Sequence, residues 1–374
     1  MRRVSILMLI FCICFALAAW PQVQPLAKHG KIIEFDAPGA GPGPGQGTQA
    51  NDINPERAIT GWYIDASGVY HGFLRSPDGA VTTFDAPGAG TGAGQGTGAW
   101  MVNPSGEITG WYANAGSVYN GFVRSPDGTI TTFHPRGAGR GANQGGGGFD
   151  INPKGEVAGN YVENSNALRS FLRYPDGTFT IFEAPDAGKG SYQGTYVNEP
   201  GGLNSAGAVT GPYVDANYVW HSYVRAADGT ITEFDAPGAG AGAGQGTVAV
   251  AIDPAGAIDG FYQDSNNVYH GFMRDPYGGI IEFDAPGAGT GAYQGTEPVG
   301  RNGAGATTGY YVDANGVAHG FLRTRHGEFT FFDAPDAGNG PGEGTFANEI
   351  NAAGAITGFY VDVNGALHGF LRLP

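Results

Sequence analysis

The chain has 374 residues, including 68 Gly and 24 Pro, and a formal net charge of −15 at pH 7. This acidic balance argues against a nucleic-acid partner, because phosphate binding needs clustered Lys and Arg side chains. Aromatic residues make up 12% of the chain, which is too many for a disordered, solvated tail. We therefore expect a folded protein with either two ordinary domains or one large all-β domain.

The first segment, residues 1–19, is a candidate secretory signal peptide. Two arginines precede an apolar run from Val4 to Ala19 that ends in small residues. This layout is typical of exported proteins and is short for a membrane span. Both cysteines lie in the run, so the mature chain would contain no disulfide. We predict signal cleavage, a linker over residues 20–30, no membrane span after cleavage, and a secreted or periplasmic location.

Seven copies of one sequence unit fill the remainder of the chain. The phenylalanine that precedes the Asp-Ala-Pro element or its variants recurs every 49 residues, with one step of 52. A Gly-x-Tyr element and an aromatic-x-Arg element recur in the same order. The seven phenylalanines are Phe35, Phe84, Phe133, Phe182, Phe234, Phe283 and Phe332. Units of 40–50 residues are typical of β-propeller blades.

Each unit is predicted to contain four short strands, here called a, b, c and d, separated by Asn-Pro, Ser-Gly and Pro-Asp-Gly turn signals. No window shows a sustained apolar period of 3.6 residues, so we expect no helices. In the first unit the strands are predicted at residues 47–53, 58–65, 69–75 and 80–85.

The two ends of the repeat predict a closed ring. The repeat begins with a d-type strand at residues 31–36 and ends after a c-type strand at Arg372. Pairing these two strands would remove the open edge between the first and last units. We predict an all-β fold over residues 31–374: a seven-bladed β-propeller with four-stranded blades of about 49 residues, closed by the N-terminal strand.

An Asp and a His six residues apart recur in five units, at the end of strand b and the start of strand c. The pair becomes Asn114/Asn120 in the second unit and Glu163/Arg169 in the third; both partners change together, as residues in contact would. The turn register places an Asp after strand d opposite each His. The predicted rows are Asp65, His71 and Asp85; Asp215, His221 and Asp235; Asp264, His270 and Asp284; Asp313, His319 and Asp333; and Asp362, His368 and Asp36.

Three interpretations of these rows remain open. We favour a hydrogen-bonded clip that orients the hairpin of strands b and c. A metal site is the second, because His and carboxylate are ordinary metal ligands. A general acid–base pair is the third and the weakest, since catalysis rarely needs repeated copies of itself. We predict no metal and no cofactor.

Two other repeated elements are interpreted as structural. The seven tyrosines are expected to pack between blades, and the seven arginines to brace the following turn through hydrogen bonds to its Asp. The Gly-rich loop between units has neither the Lys nor the helix start of a phosphate-binding loop. A Gln near the end of most of these loops caps the blade junction or binds a sugar.

The repeat changes its chemistry at one place, between the second and third units. His134, Arg136 and Arg140 replace residues of the interblade loop, and Arg169 replaces the repeating His. These four candidate ligand-binding residues are expected on one face of the propeller. One interpretation is repeat decay, with neighbouring glutamates neutralising Arg169. The other is a site for an acidic ligand such as a uronate-containing polysaccharide, because Arg binds carboxylate in a bidentate manner.

One recurring string reads Ile-Asn-x-x-Gly-x-Ile-Thr-Gly followed by His-Gly-Phe-Leu-Arg, with copies that include Ile53-Asn54 and His71-Gly72-Phe73-Leu74. It resembles the repeat of the bacterial extracellular HAF family, which has a similar Ile-Asn-x-x-Gly-x-Val-x-Gly followed by His-Ala-Phe-Leu. Gly in place of Ala after the His, and the long Asp-Ala-Pro-Gly-Ala-Gly loop, depart from that pattern. The resemblance implies export and a β-repeat fold, without an activity.

The near-equivalence of the seven units favours a non-catalytic binding or scaffold protein. The protein is expected to be a monomer that binds an extracellular polysaccharide or a surface protein through its interblade loops. The alternative is a propeller enzyme, a glycoside hydrolase or polysaccharide lyase, acting at the central mouth; this rests on analogy of fold alone.

Overall fold

A computed structural model describes residues 30–197 and 201–374 of the chain. The predicted signal peptide, and all of the predicted linker except residue 30, lie outside the described residues. No helix long and apolar enough to cross a membrane occurs within the two described ranges. The described residues form 28 β-strands joined by hydrogen bonds into one closed array.

The strands fall into seven blades of four. Strand β1 spans Ile32–Phe35. Blade 1 consists of β2 Gly47–Ile53, β3 Ile59–Ile64, β4 Tyr70–Arg75 and β5 Val81–Phe84. Blade 2 consists of β6 Gly96–Val102, β7 Ile108–Ala113, β8 Tyr119–Arg124 and β9 Ile130–Phe133. Blade 3 consists of β10 Gly145–Ile151, β11 Val157–Val162, β12 Leu168–Arg173 and β13 Phe179–Phe182. Blade 4 consists of β14 Gly194–Thr195, β15 Val209–Val214, β16 Trp220–Arg225 and β17 Ile231–Phe234. Blade 5 consists of β18 Gly246–Ile252, β19 Ile258–Gln263, β20 Tyr269–Arg274 and β21 Ile280–Phe283. Blade 6 consists of β22 Gly295–Arg301, β23 Thr307–Val312, β24 Ala318–Arg323 and β25 Phe329–Phe332. Blade 7 consists of β26 Gly344–Ile350, β27 Ile356–Val361 and β28 Leu367–Arg372.

Strand β1 completes blade 7 as its fourth strand. It pairs antiparallel with β28, from Ile32 opposite Arg372 to Phe35 opposite Gly369. Strands a to d of each blade pair antiparallel in order, and strand c also touches strand a of the next blade through one parallel bridge, as between Tyr70 and Gly96. The prediction of a closed seven-bladed all-β propeller is confirmed.

Aromatic side chains pack the blades against one another. The Phe that ends strand d meets an aromatic ring of strand c in the next blade edge to face, with ring centroids 5.9–6.1 Å apart at six junctions. Strand c carries Gly beside this Phe because a Cβ at Gly72 would lie 2.7 Å from the Phe84 ring. Each fully buried Phe, such as Phe73, contributes about 1.5–3 kcal/mol through its burial.

The seven repeated arginines belong to the same interface, which corrects our expectation of bonds to the turn Asp. Each guanidinium lies over the Phe that ends strand d of the preceding blade, 4.3–5.1 Å from the ring centroid. In three blades it also donates to the next carbonyl, as Arg124 does to Ser125 at 3.3 Å. No ion pair with the turn Asp forms among the described residues. A cation–π contact with a residue of the preceding blade thus takes the place of the expected hydrogen bond to the turn Asp.

The two faces of the ring are held by different side chains. On the turn face, which carries the a–b and c–d turns, an Asn after strand a donates to the corresponding carbonyl of the next blade, as Asn103 does to Asn152 at 3.1 Å. The loop face carries the d–a loops and the b–c turns. There the loop Gln binds its own loop and the adjacent b–c turn, as Gln95 does through Gly92 and Ala115. These Gln side chains cap the blade junctions.

Candidate functional site

The Asp–His–Asp rows lie on the loop face, across strands b, c and d. In each of the five rows His Nδ1 lies 2.8–3.1 Å from the Asp that follows strand d. His Nε2 lies 3.6–3.9 Å from the Asp that follows strand b, beyond a direct hydrogen bond. The ring stacks on the repeated Tyr of strand b, with centroids 4.9–5.1 Å apart.

The first Asp of each row closes the b–c turn. Asp65 Oδ1 accepts the backbone N–H groups of Ser67 and Val69, at 2.8 and 2.9 Å. Partial burial would raise the pKa of Asp65, but the bonds from Val69 and Ser67 outweigh it and hold the pKa below the ordinary value. At His319 the hydrogen bond to Asp333 is the main cause of a raised pKa.

Hydrogen bonds to structural partners occupy the Nδ1 of each His and the first Asp of each row, whereas each His Nε2 stays beyond hydrogen-bond distance of that Asp. Among the described residues, no group of three or more His, Cys, Asp or Glu side chains is placed to hold a metal ion. The contact of His Nδ1 joins strand c to the Asp that follows strand d, as the predicted clip requires.

The four residues of the predicted cationic site have different surroundings. Arg169 binds Glu163 at 3.1 Å and also contacts Glu183, so its charge is neutralised. His134 lies 2.9 Å from Asn120 and takes the place of the d-strand Asp in the second row. Burial is the main cause of its lowered pKa, which keeps the imidazole neutral.

The other two, Arg136 and Arg140, lie on the exposed d–a loop between blades 2 and 3. Neither side chain has a hydrogen-bond or ion-pair partner within the described part of the chain. Arg140 is close enough to His134 for its charge to lower the pKa of that imidazole further. The structure therefore leaves two of the four predicted residues as unpaired cations on the loop face.

A cavity of about 400 Å³ opens on the loop face beside this loop, and it was not predicted. Its residues come from the facing edges of blades 2, 3 and 4. They include Trp111, Tyr119, Asn143, Gly145, Gly146, Gly147, Phe149, Asn160 and Tyr196.

A run of glycines that allows close packing borders this cavity. Strand β10 begins with four glycines, Gly145–Gly148, where the first strand of blade 1 reads Gly-Thr-Gln-Ala. Trp111 lies over this backbone: a Cβ at Gly147 would be 2.6 Å from Trp111 Cβ, and one at Gly98 would be 2.5 Å from its ring. Tyr119 packs edge to face on Trp111 at 5.3 Å. The run of four glycines is the feature of the sequence that could have pointed to this part of the molecule.

The cavity and the unpaired arginines share one loop. Asn143 lines the cavity and lies three residues after Arg140. At the start of the loop, a Cβ on Gly137 would be 3.3 Å from the hydroxyl of Tyr161, which also lines the cavity. The loop that carries the two arginines therefore borders the cavity, through Asn143 and next to Tyr161.

Three buried carboxylates converge near the axis of the ring. Asp52, Asp150 and Glu349 occupy equivalent positions at the end of strand a in blades 1, 3 and 7, and all three are buried. Burial is the main cause of their raised pKa values, to about 7 at Asp150, and Asp52 raises the pKa of the other two further. Asp52 and Glu349 also line a cavity of about 250 Å³ on the turn face.

A buried ion pair interrupts the Asn ring of the turn face. Asp253 stands where the other blades have Asn, and Arg301 Nε binds it at 3.0 Å. Arg301 Nη1 binds both carboxylate oxygens of Asp259, at 2.9 and 3.0 Å. Asp259 replaces a residue that is Thr in five other blades and Ala158 in blade 3, and Arg301 replaces an aliphatic residue. This network is therefore confined to blades 5 and 6.

No protein-family model and no curated protein matches the sequence. Solved structures of similar fold include the following two. The β-propeller domain of the Trilobed protease from Pyrococcus furiosus is 9% identical, with a TM-score of 0.51 over 86% of this chain and 91% of that one. The BP39L lectin from Burkholderia pseudomallei is 11% identical, with a TM-score of 0.50 over 92% of this chain and 96% of that one.

Both likenesses are to propellers in fold alone. The Pyrococcus domain is described as having an open velcro topology, whereas strand β1 closes blade 7 here.

Proposed function

We propose that this chain is a secreted, non-catalytic β-propeller of the HAF-repeat type that binds an acidic polysaccharide on its loop face. The observation that carries the proposal is the aromatic cavity beside two unpaired arginines. The N-terminal sequence pattern supports the export of the protein.

The cavity has the chemistry that a sugar ring requires. Its volume is within the range of small-molecule sites, and five of its twelve lining residues are aromatic, with a few polar groups beside them. The rings of Trp111 and Tyr119 line the cavity and can pack on the C–H groups of a pyranose, while the exposed Asn143 offers its amide to the sugar hydroxyls.

The arginines favour an acidic ligand. The protein as a whole repels anions, since its net charge is −15. Arg136 and Arg140 are therefore a local exception, and a guanidinium binds a carboxylate through two parallel hydrogen bonds. One structural neighbour is itself a lectin, which is compatible with this proposal.

A binding experiment with two variants tests the proposal. Purified protein is screened on neutral and uronate-containing polysaccharides, and we expect binding of the acidic ones. Trp111→Asn gives blade 2 the residue that blade 3 has at this position, and should abolish binding. The matched control is Trp62→Asn in blade 1, which removes the equivalent ring from a blade that does not line the cavity. Equal binding by the Trp111 variant and the wild type would refute this site.

The enzyme alternative has a separate location and test. Asp52 and Glu349 line the turn-face cavity and have raised pKa values, and carboxylic acids of this kind serve as general acids in glycoside hydrolysis. Product release from a polysaccharide, lost in Glu349→Gln, would favour a hydrolase or lyase. Binding without product would favour the lectin-like function.

A further inference from the structure

Each blade junction on the loop face is closed by two residues in the left-handed backbone conformation. A residue of the d–a loop donates its N–H to the carbonyl of a residue in the b–c turn of the preceding blade, as Gly94 does to Gly68 at 2.8 Å. The fourteen residues of these seven junctions have φ values of 55–83°. Glycine adopts this conformation without steric cost.

Three consecutive junctions each contain one tyrosine. Tyr192 lies between blades 3 and 4, Tyr218 between blades 4 and 5, and Tyr293 between blades 5 and 6. The tyrosine is in the loop at the first and third of these junctions and in the turn at the second. The other four junctions contain only Gly, Asn or Ser.

The fold does not require these tyrosines. A bulky residue at positive φ is strained, and three other junctions of the same chain use Gly at both positions. Burial does not offset the strain, since the exposed fractions of Tyr192, Tyr218 and Tyr293 are 65%, 47% and 65%. Strained and exposed residues of this kind occur at functional sites.

Tyr218 is linked to the loop of Tyr192, and its junction partner Gly244 borders a cavity. The hydroxyl of Tyr218 donates to the carbonyl of Ser191 at 3.3 Å, next to Tyr192 in the chain. A cavity of about 310 Å³ lies at the junction of blades 4 and 5, lined by Tyr196, Trp220, Gly244, Phe261 and Tyr269 among others.

Cations lie at one end of this arc. Lys189 is exposed on the same loop as Tyr192, and Arg136 and Arg140 are exposed on the loop of the preceding junction. The loop face therefore has cations followed by three aromatic platforms, each one blade apart.

We propose that Tyr192, Tyr218 and Tyr293 form a stacking arc for sugar rings along one polysaccharide chain, whose acidic groups reach Lys189, Arg136 and Arg140. This inference rests on the proposed function and names its ligand as an extended chain. Each ring adds one aromatic face for a sugar, and contacts made by one connected chain reinforce one another.

The test replaces each tyrosine with glycine, the residue that other junctions of this chain use. The triple variant Tyr192→Gly, Tyr218→Gly and Tyr293→Gly relieves strain, so its melting temperature should not fall. Oligogalacturonates of increasing length are the probes, measured by titration calorimetry. We expect wild-type affinity to rise with length, and the triple variant to lose about 100-fold of it for the longest oligomers. The shortest oligomers should bind both proteins equally.

The control is Tyr277→Gly, because Tyr277 is 98% exposed but lies in a c–d turn on the turn face. It should leave every affinity unchanged. Affinity independent of length, or a triple variant that binds long oligomers as the wild type does, overturns the stacking arc alone. Absence of binding of every oligomer to the wild-type protein overturns the arc and the acidic-polysaccharide function together.

Discussion

Replacing Asp150 with Asn should protect the protein against destabilisation at alkaline pH. Asp150 is fully buried, and its Oδ2 accepts the backbone N–H of Leu203 at 2.6 Å. Its Oδ1 has no hydrogen-bond partner among the described residues. Burial, and then the charge of Asp52, raise the pKa of Asp150 from 3.8 to about 7. An Asn can accept the same bond from Leu203 and cannot ionise.

The magnitude follows from the pKa of Asp150. Between about pH 4 and about pH 7, the carboxyl group of Asp150 keeps its proton in the folded chain and releases it in the unfolded chain. The stabilising effect of protonation is therefore fully present below pH 4 and is lost as the pH rises through 7. At about 1.4 kcal/mol per tenfold change in proton affinity, ionisation of Asp150 lowers the free energy of unfolding by about 4 kcal/mol at pH 8.

The assay is urea unfolding of wild type and Asp150→Asn at pH 4.5 and pH 8. The two proteins should have similar stability at pH 4.5, and the variant should be the more stable at pH 8. Asp264→Asn is the control, because the bonds of its turn outweigh burial and lower the pKa of Asp264, and blade 2 already has Asn114 there. The same pH dependence in wild type and Asp150→Asn would refute the reasoning.

The buried ion pair, the closing strand and one histidine row each support a further prediction. Arg301→Ile alone leaves Asp259 buried without its partner and should lower the free energy of unfolding by about 3–5 kcal/mol. Adding Asp259→Thr should recover most of this loss, as measured by urea unfolding. Equal losses in the single and double variants would contradict this. Deleting β1 removes Ile33 and Phe35, which are partly buried against the core, and each should contribute less than the roughly 1.5–3 kcal/mol of full burial. An unchanged melting temperature would exclude the closing role. Because the pKa of His319 is raised, the stabilisation from its row should be present below pH 6.5 and disappear as the pH rises through the folded pKa. Melting temperatures of the wild type and His319→Gln over a pH series measure this. A difference in melting temperature that does not change with pH would argue against it.

Repetition made the blades predictable from sequence. The first a strand was expected at residues 47–53 and is β2 at Gly47–Ile53, while the other three strands of blade 1 are each one or two residues shorter than predicted. Seven copies show which positions the fold needs and which vary freely. The closing strand followed from the same count, since the last unit lacks its fourth strand.

Contacts between blades were less predictable. The arginine of strand c was assigned to the nearby turn Asp, but Arg75 stacks on Phe35, which is far away in sequence and lies in the closing strand. The convergence of Asp52, Asp150 and Glu349 depends on distances across the axis, about which the order of residues along the chain says nothing. The aromatic cavity depends likewise on which rings of blades 2 and 4 face the glycines of blade 3.

The β1–β28 ladder also has a consequence for folding kinetics. The hairpins of each blade are local contacts, but Ile32 and Arg372 are separated by 340 positions. Joining them costs about 5 kcal/mol in chain entropy by the logarithmic loop-closure relation, and non-local contacts of this kind form slowly. We therefore expect ring closure to be the last step of folding. Until it occurs, β28 presents an open edge to which the β1 segment of a second molecule can pair.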